Sequence, residues 1–151
     1  MTRIAFALAT AAFMLSTPAA FAADAAQMEA NKKAAMEFYD AAINKKDFEA
    51  ARKYIGDRYV QHNPGAADGI EGFKAFLGFL REKRPNYHSD IKRAFADGDY
   101  VILHVHAVRE PGTRGNAIMD IFRLDDKGKV VEHWDVVQPI PETAQNDNTM
   151  F

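Results

Sequence analysis

Residues 116–138 read NAIMDIFRL, then DDKG, then KVVEHWDVVQ. The outer two runs are rich in Ile, Val, Phe and Trp, which suit a pleated, half-buried surface, and Asp125-Asp126-Lys127-Gly128 between them is a turn sequence. Asn116–Leu124 and Lys129–Gln138 are therefore expected to form a β-hairpin. The same reading extends upstream. Tyr100–Arg109 and Tyr87–Phe95 have a period of two, and the intervening links, Asp97-Gly98-Asp99 and Glu110 to Gly115, are short and carry glycine. Four such strands in succession predict an antiparallel meander.

Before Tyr87 the period lengthens. Ala25–Ile43 sets Met28, Ala35, Met36, Tyr39, Ala42 and Ile43 at helical spacing, with Lys32, Lys33, Glu37 and Asp40 opposite. Asp47 is placed to cap a short second helix, Phe48–Ile55. Tyr59 to Gly65 is an extended piece running into a Pro-Gly turn. Asp68 and Glu71 have the spacing of a capping box for a third helix, whose apolar face is Ile70, Phe73, Phe76, Leu77 and Leu80 and which Pro85 stops. Helices followed by strands predict an α+β fold, with three N-terminal helices packed on one face of a curved antiparallel sheet. The tail after Pro139 has no periodicity.

The first residues predict a destination. Thr2-Arg3, the apolar run Ile4–Leu15 and Ala20-Phe21-Ala22 form the positive, apolar and small-residue parts of a secretory signal peptide, and the run is too short to span a bilayer. Cleavage is expected after Ala22, with Ala23 as the alternative. This leaves residues 23–151 as one periplasmic or secreted domain with no membrane association after cleavage. The chain has no cysteine, which excludes disulfides, thiolate metal sites and cysteine nucleophiles. Its net charge is −2 with scattered Lys and Arg, so it has no basic footprint for nucleic acid, and a small molecule is the expected partner. It has no phosphate-binding loop, dinucleotide glycine fingerprint or nucleophile elbow.

Asp120 is the most informative residue. It interrupts a strand whose two faces are otherwise apolar, and a carboxylate there is held out of water with its pKa raised. Asp135 lies on the next strand. Pairing across the Asp125–Gly128 turn puts Asp120 opposite Trp134 or Asp135, depending on whether the hairpin carries a bulge, and a one-residue slip reverses the facing of Asp135. If the aspartates face each other, one is driven toward the protonated form, giving an acid and a base near neutral pH. His104 and His106 project to one side of their strand, with Tyr100, Ile102 and Val108. They are candidates to donate to a carbonyl, to line a groove or dimer contact, or, with a third ligand from His133, Asp135 or Glu110, to bind a metal. His62, in Gln61-His62-Asn63-Pro64, precedes a turn near the expected mouth. Tyr59, Trp134 and His133 complete the expected substrate-contacting set.

Tyr59-Val-Gln-His-Asn-Pro, Met119-Asp-Ile-Phe-Arg and Gly128-Lys-Val-Val-Glu-His-Trp-Asp-Val-Val-Gln-Pro resemble a branch of the SnoaL-like polyketide cyclase family, within the nuclear transport factor 2-like superfamily. The tail Asn146–Phe151 is similar to the same branch, whose members are described as aldol-condensation-catalysing. The resemblance covers the chain after the leader. It implies a cone of curved sheet closed by three helices, an interior pocket, no cofactor and a homodimer formed through the sheet. Asp120 matches the position where ketosteroid isomerases place an aspartic acid that donates to a developing oxyanion. Asp135 matches the last-strand position of the acid/base aspartate of limonene epoxide hydrolases and polyketide cyclases. The strand carrying His104 and His106 matches the one that lends an arginine and an aspartate in those hydrolases.

Three functions follow as expectations. The first is a cofactor-free acid/base enzyme acting on a small carbonyl compound, by aldol-type cyclisation or isomerisation, with Asp120, Asp135 and His104 as catalytic residues. His106, His62, Trp134, Tyr59 and His133 would contact the substrate. The second is a non-catalytic periplasmic binding protein using the same pocket. The third is a metal-dependent cupin-like site, because Gly98, His104, His106, Glu110 and Gly115 approximate the first cupin motif.

Overall fold

The computed structural model describes residues 18–151, with side chains from Asp24 onward. The expected leader lies for the most part outside the described residues. Helix α1, Pro18–Tyr39, runs through the expected cleavage point. Its buried stripe is Asn31, Ala35, Phe38 and Tyr39, a spacing of three and four residues that keeps one face on the core. Met36, expected in that stripe, is half-exposed, and Phe38 is buried in its stead. The helix then widens into a π-helical turn, Asp40–Asn44, with Ala41 and Ala42 buried. Asn44 at its end stitches the helical layer to the sheet: its Nδ2 donates to the Ser89 carbonyl at 3.0 Å and its Oδ1 accepts from the Ser89 amide at 2.9 Å.

Helix α2, Phe48–Arg52, begins as expected, with the Asp47 carboxylate accepting from the Ala50 amide at 3.0 Å. It is shorter than expected because Ile55 opens strand β1, Ile55–Gln61. Helix α3, Gly69–Lys83, has Phe73, Leu77 and Leu80 buried. Its capping box does not form. The Asp68 carboxylate instead accepts from the Gln61 amide at 2.8 Å, tying the helix start to the end of β1. Among the described residues, no helix is long and apolar enough to cross a membrane.

The predicted meander is present as β2 (His88–Asp97), β3 (Tyr100–Val108), β4 (Asn116–Leu124) and β5 (Val130–Pro139). Strand β1 joins it parallel to β5, giving the order β1-β5-β4-β3-β2 in a curved, unclosed sheet. The helices cover one face. Toward them point Val101, Leu103, Val105 and Ala107 of β3 and Ile118, Asp120 and Phe122 of β4, all buried. The layered α+β architecture rules out the cupin alternative, which needs two sheets of strands where this chain has helices.

The β4–β5 hairpin fixes the register that the sequence left open. Gly128 turns the chain at φ 69, where a side chain would be strained, and Leu124 pairs with Val130 whereas Arg123 pairs with Glu132. Val131 is thus an extra residue on β5, and the consecutive pair Val130 and Val131 is buried. From there outward Asp120 pairs with Asp135 and Ile121 with Trp134. Without the bulge, Asp120 would face Trp134.

Candidate active site

Between the helices and the inner face of the sheet lies a cavity of about 370 Å³. Apolar side chains wall it: Phe38, Phe73, Phe76, Leu80, Ile118 and Phe122. At its floor, β1, the two residues that follow it, β4 and β5 deliver six polar residues, Tyr59, Gln61, Asn63, Asp120, His133 and Asp135. A concave, largely apolar cavity with a few convergent polar groups is the usual form of a small-molecule site.

The floor is a hydrogen-bonded chain whose proton positions can be worked out. The Asn63 amide N–H donates to Gln61 Oε1 at 2.8 Å, which fixes that atom as an acceptor. His133 Nδ1 lies 3.0 Å from the same oxygen and must therefore carry a proton. Its Nε2 lies 3.1 Å from Asp120 Oδ1. One proton then sits between Asp120 and His133, either on the carboxyl facing a neutral imidazole or on an imidazolium facing a carboxylate. Asp120 is 4% exposed, and its Oδ2 has no partner among the described residues.

Burial pushes the Asp120 carboxyl up from the usual aspartate range, and the nearby Asp135 adds to this. The hydrogen bond and charge of His133 and the Tyr39 hydroxyl oppose it without cancelling it. The same burial, with the charges of Asp120 and Asp135, raises the Tyr59 phenol, and burial with the Asp120 charge raises Tyr39. Both phenols are thereby held neutral, and the Tyr59 hydroxyl accepts from Gln61 Nε2 at 3.3 Å. Asp135 is held differently. Asn63 Oδ1 accepts from the Gly65 amide at 2.7 Å, which turns Asn63 Nδ2 toward Asp135, where it lies 2.7 Å from both carboxylate oxygens. Both Asp135 oxygens thus accept from a single amide group, and neither is bonded to Asp120 or His133. The floor therefore holds two unlike carboxyls, one buried and proton-sharing, the other an acceptor opening into the cavity.

Donor atoms of Asp120, His133 and Asp135 lie within 4.8 Å of one another, close enough to share a cation. In the structure those atoms are engaged by one another and by Gln61 and Asn63.

Of the residues expected from sequence, Asp120, Asp135, His133 and Tyr59 come together at this floor. His104 and His106 do not. They occupy alternate positions to Leu103 and Val105 and so project from the outer face of the sheet. There His104 Nδ1 meets Arg93 at 3.1 Å, His106 Nε2 meets the Arg114 carbonyl at 2.8 Å, and Phe151 packs on both rings. His62 and Trp134 also lie outside the cavity lining. Their rings stack at 4.5 Å, and His62 Nε2 pairs with Glu132 at 2.8 Å. Glu110 is bound to Arg84 at 2.9 Å and not to a histidine. Sequence reasoning missed Gln61 and Asn63, although a strand's period of two was enough to find them. If Tyr59 faces inward, so do Gln61 and Asn63, and His62 between them faces out.

The profile of the SnoaL-like domain matches residues 35–133, which includes Asp120 and ends two residues short of Asp135. The chain belongs to the SnoaL-like family. Among curated proteins, none matches the sequence. Several solved structures do. A SnoaL-like protein of unknown function from Burkholderia thailandensis is 20% identical, with 73% of this chain and 95% of that one covered at a TM-score of 0.61. A proposed polyketide cyclase from Bacillus cereus is 23% identical over 72% of this chain and 74% of that one, TM-score 0.61. An LEH-like epoxide hydrolase from M. tuberculosis is 21% identical over 74% of this chain and 85% of that one, TM-score 0.61. At these identities the likeness is one of fold, and the SnoaL-like protein shares its fold with proteins of several chemistries.

Proposed function

We propose that this SnoaL-like protein is an acid/base enzyme that moves a proton alpha to a carbonyl, leading to aldol-type closure or isomerisation. The observation that carries this reading is the pairing of two differently held carboxyls, Asp120 and Asp135, on adjacent strands inside one apolar cavity. The Asp135 carboxylate takes the proton from the alpha carbon. The C–H electron pair becomes the enol double bond, and the carbonyl oxygen receives the proton shared by Asp120 and His133. The enol then attacks a second carbonyl, its O–H proton returning to the Asp120–His133 pair as its own carbonyl re-forms and the new alkoxide taking the proton held by Asp135. In isomerisation a conjugated dienol takes that proton from Asp135 at its gamma carbon, and the O–H proton returns in the same way. The steps balance without an oxidant. A buried donor aimed at the developing oxyanion is worth several kcal/mol, about 3–4 in comparable sites.

The test needs no knowledge of the product. A panel of ketones and diketones in deuterated water reports alpha-proton exchange by NMR. The wild-type protein is expected to accelerate exchange for some members of the panel, and Asp135→Asn to slow it by about 10²–10⁴-fold. Equal exchange in wild type and variant across the panel contradicts the reading. Thermal stabilisation by a ketone with no exchange assigns the cavity to a binding protein instead.

Export through the leader ending at Ala22, to a periplasmic or secreted destination, is part of the same proposal, supported by the Thr2–Ala22 pattern. So is pairing of two copies through the outer face of the sheet, where Phe95, Tyr100, Met119 and Val136 stand exposed.

A further inference from the structure

The cavity has a second chemical end. Arg84, just past α3, and Arg109, just past β3, line it together with Tyr87. Arg109 continues the inward-facing series Val101, Leu103, Val105 and Ala107, so its stem follows the cavity wall. It has no carboxylate partner among the described residues, and its guanidinium lies beside the Tyr87 hydroxyl, opposing the rise that burial imposes on that phenol. Arg84 is steadied by Glu110 at 2.9 Å. Two guanidinium groups against one carboxylate leave this rim with a spare positive charge, at the opposite end of an apolar chamber from two carboxyls.

The distance between the ends follows from the register. Asp120 pairs with Leu103, and at about 3.3 Å per residue the step along β3 from Leu103 to Arg109 is about 20 Å. The Arg109 guanidinium lies back beside the Tyr87 hydroxyl, which itself feels the Asp120 charge, so the charged heads are closer than this backbone span. What lies between is mostly apolar, with Ile43, Phe76 and Phe79 on the helical side and Ile118 on the sheet, and with the phenols Tyr39 and Tyr87 also in the wall. A ligand that satisfies every part of this surface has an anionic head, an apolar body and a carbonyl at its far end.

We propose that the cavity selects amphiphilic keto acids, with the carboxylate held at the rim by Arg109 and Arg84 and the carbonyl delivered to Asp120 and Asp135. The carbonyl end rests on the acid/base reading above; the carboxylate end stands on the rim alone. A planar guanidinium fork suits a carboxylate with two parallel hydrogen bonds. The same rim disfavours a ligand that ends in an amine, and an uncharged ester gains nothing there.

Isothermal titration calorimetry at low salt tests this with a straight ten-carbon acid bearing a ketone next to its terminal methyl, and with the methyl ester of that acid. The acid is expected to bind about tenfold more tightly than the ester, and added salt to narrow the gap. Arg109→Met should bring the two within about twofold with the fold retained by circular dichroism, because Arg109 is exposed and methionine keeps its apolar stem. Arg109→Lys should keep part of the preference. Equal affinity for acid and ester in the wild type, a preference that survives Arg109→Met, or binding of neither compound overturns the proposal. Asp120→Asn should retain the preference for the acid. A charge preference without alpha-proton exchange therefore removes only the acid/base reading, and exchange without a charge preference removes only this one.

Discussion

Asp120 places a titratable group where water cannot reach one of its oxygens, and this has a consequence for stability. Its folded-state pKa lies above the unfolded one, so the native state holds the proton more tightly than the unfolded chain does. The stability contributed by this group is complete below the usual aspartate range and is lost as pH rises through the raised value. Asparagine at this position cannot ionise, and its amide can donate to His133 Nε2 as the protonated carboxyl does. Asp120→Asn is therefore expected to unfold at a higher temperature than the wild type, by a margin that grows with pH across that window. A series of thermal melts measures it; a margin independent of pH would mean that the carboxyl is solvated. Asn63→Ala frees Asp135 from its donor, and loss of one charge-assisted hydrogen bond corresponds to about 1.5–3 kcal/mol. Exchange by this variant should fall by about tenfold or more, with the loss in the rate constant and not in ketone affinity. An effect on affinity alone would make Asn63 a wall residue.

Among the elements, those with local signals were legible in the sequence. The meander, its turns and the Asp47 cap appear where the residues indicate them, because each is decided by neighbours in the chain. The misreadings have long-range causes. Asp68 does not close its capping box because the Gln61 amide, brought alongside by the fold, takes its carboxylate. The sequence marks β1 only from Tyr59, since Gly56-Asp57-Arg58 does not alternate and its pairing partner, β5, is remote in sequence. Both faces of β3 are apolar, so the sequence could not say which of them the helices cover, and His104 and His106 fell on the other. The register of Asp135 depends on Val131, a bulge with no mark of its own in the sequence. The π-helical turn likewise has no mark in the sequence, yet it is what carries Asn44 to β2. Asn44→Ala removes both hydrogen bonds to Ser89 and should cost about 1–3 kcal/mol, with faster amide exchange confined to the start of β2. Exchange rising uniformly over the sheet would assign Asn44 a global role instead.

For the whole molecule, one sheet presents two surfaces of different use. The inner face, covered by the helices, buries Asp120 and places Asp135 beside it at the cavity floor. The outer face carries half-exposed aromatic and aliphatic side chains, including Val136 at 69% exposure, and is the surface proposed for a second copy. A two-fold contact there uses the same patch twice, so a single Val136→Arg introduces charge on both sides. Light scattering is expected to report dimers for the wild type and monomers for this variant, with the fold retained; a monomeric wild type would contradict the contact. Most of the account, however, depends on the inner face. The most direct test is carboxyl-carbon NMR of aspartate-labelled protein through a pH titration, with Asp120 assigned by the signal missing from Asp120→Asn. The account predicts that this carboxyl titrates above the range of the exposed aspartates. Titration of Asp120 together with the exposed aspartates would contradict it.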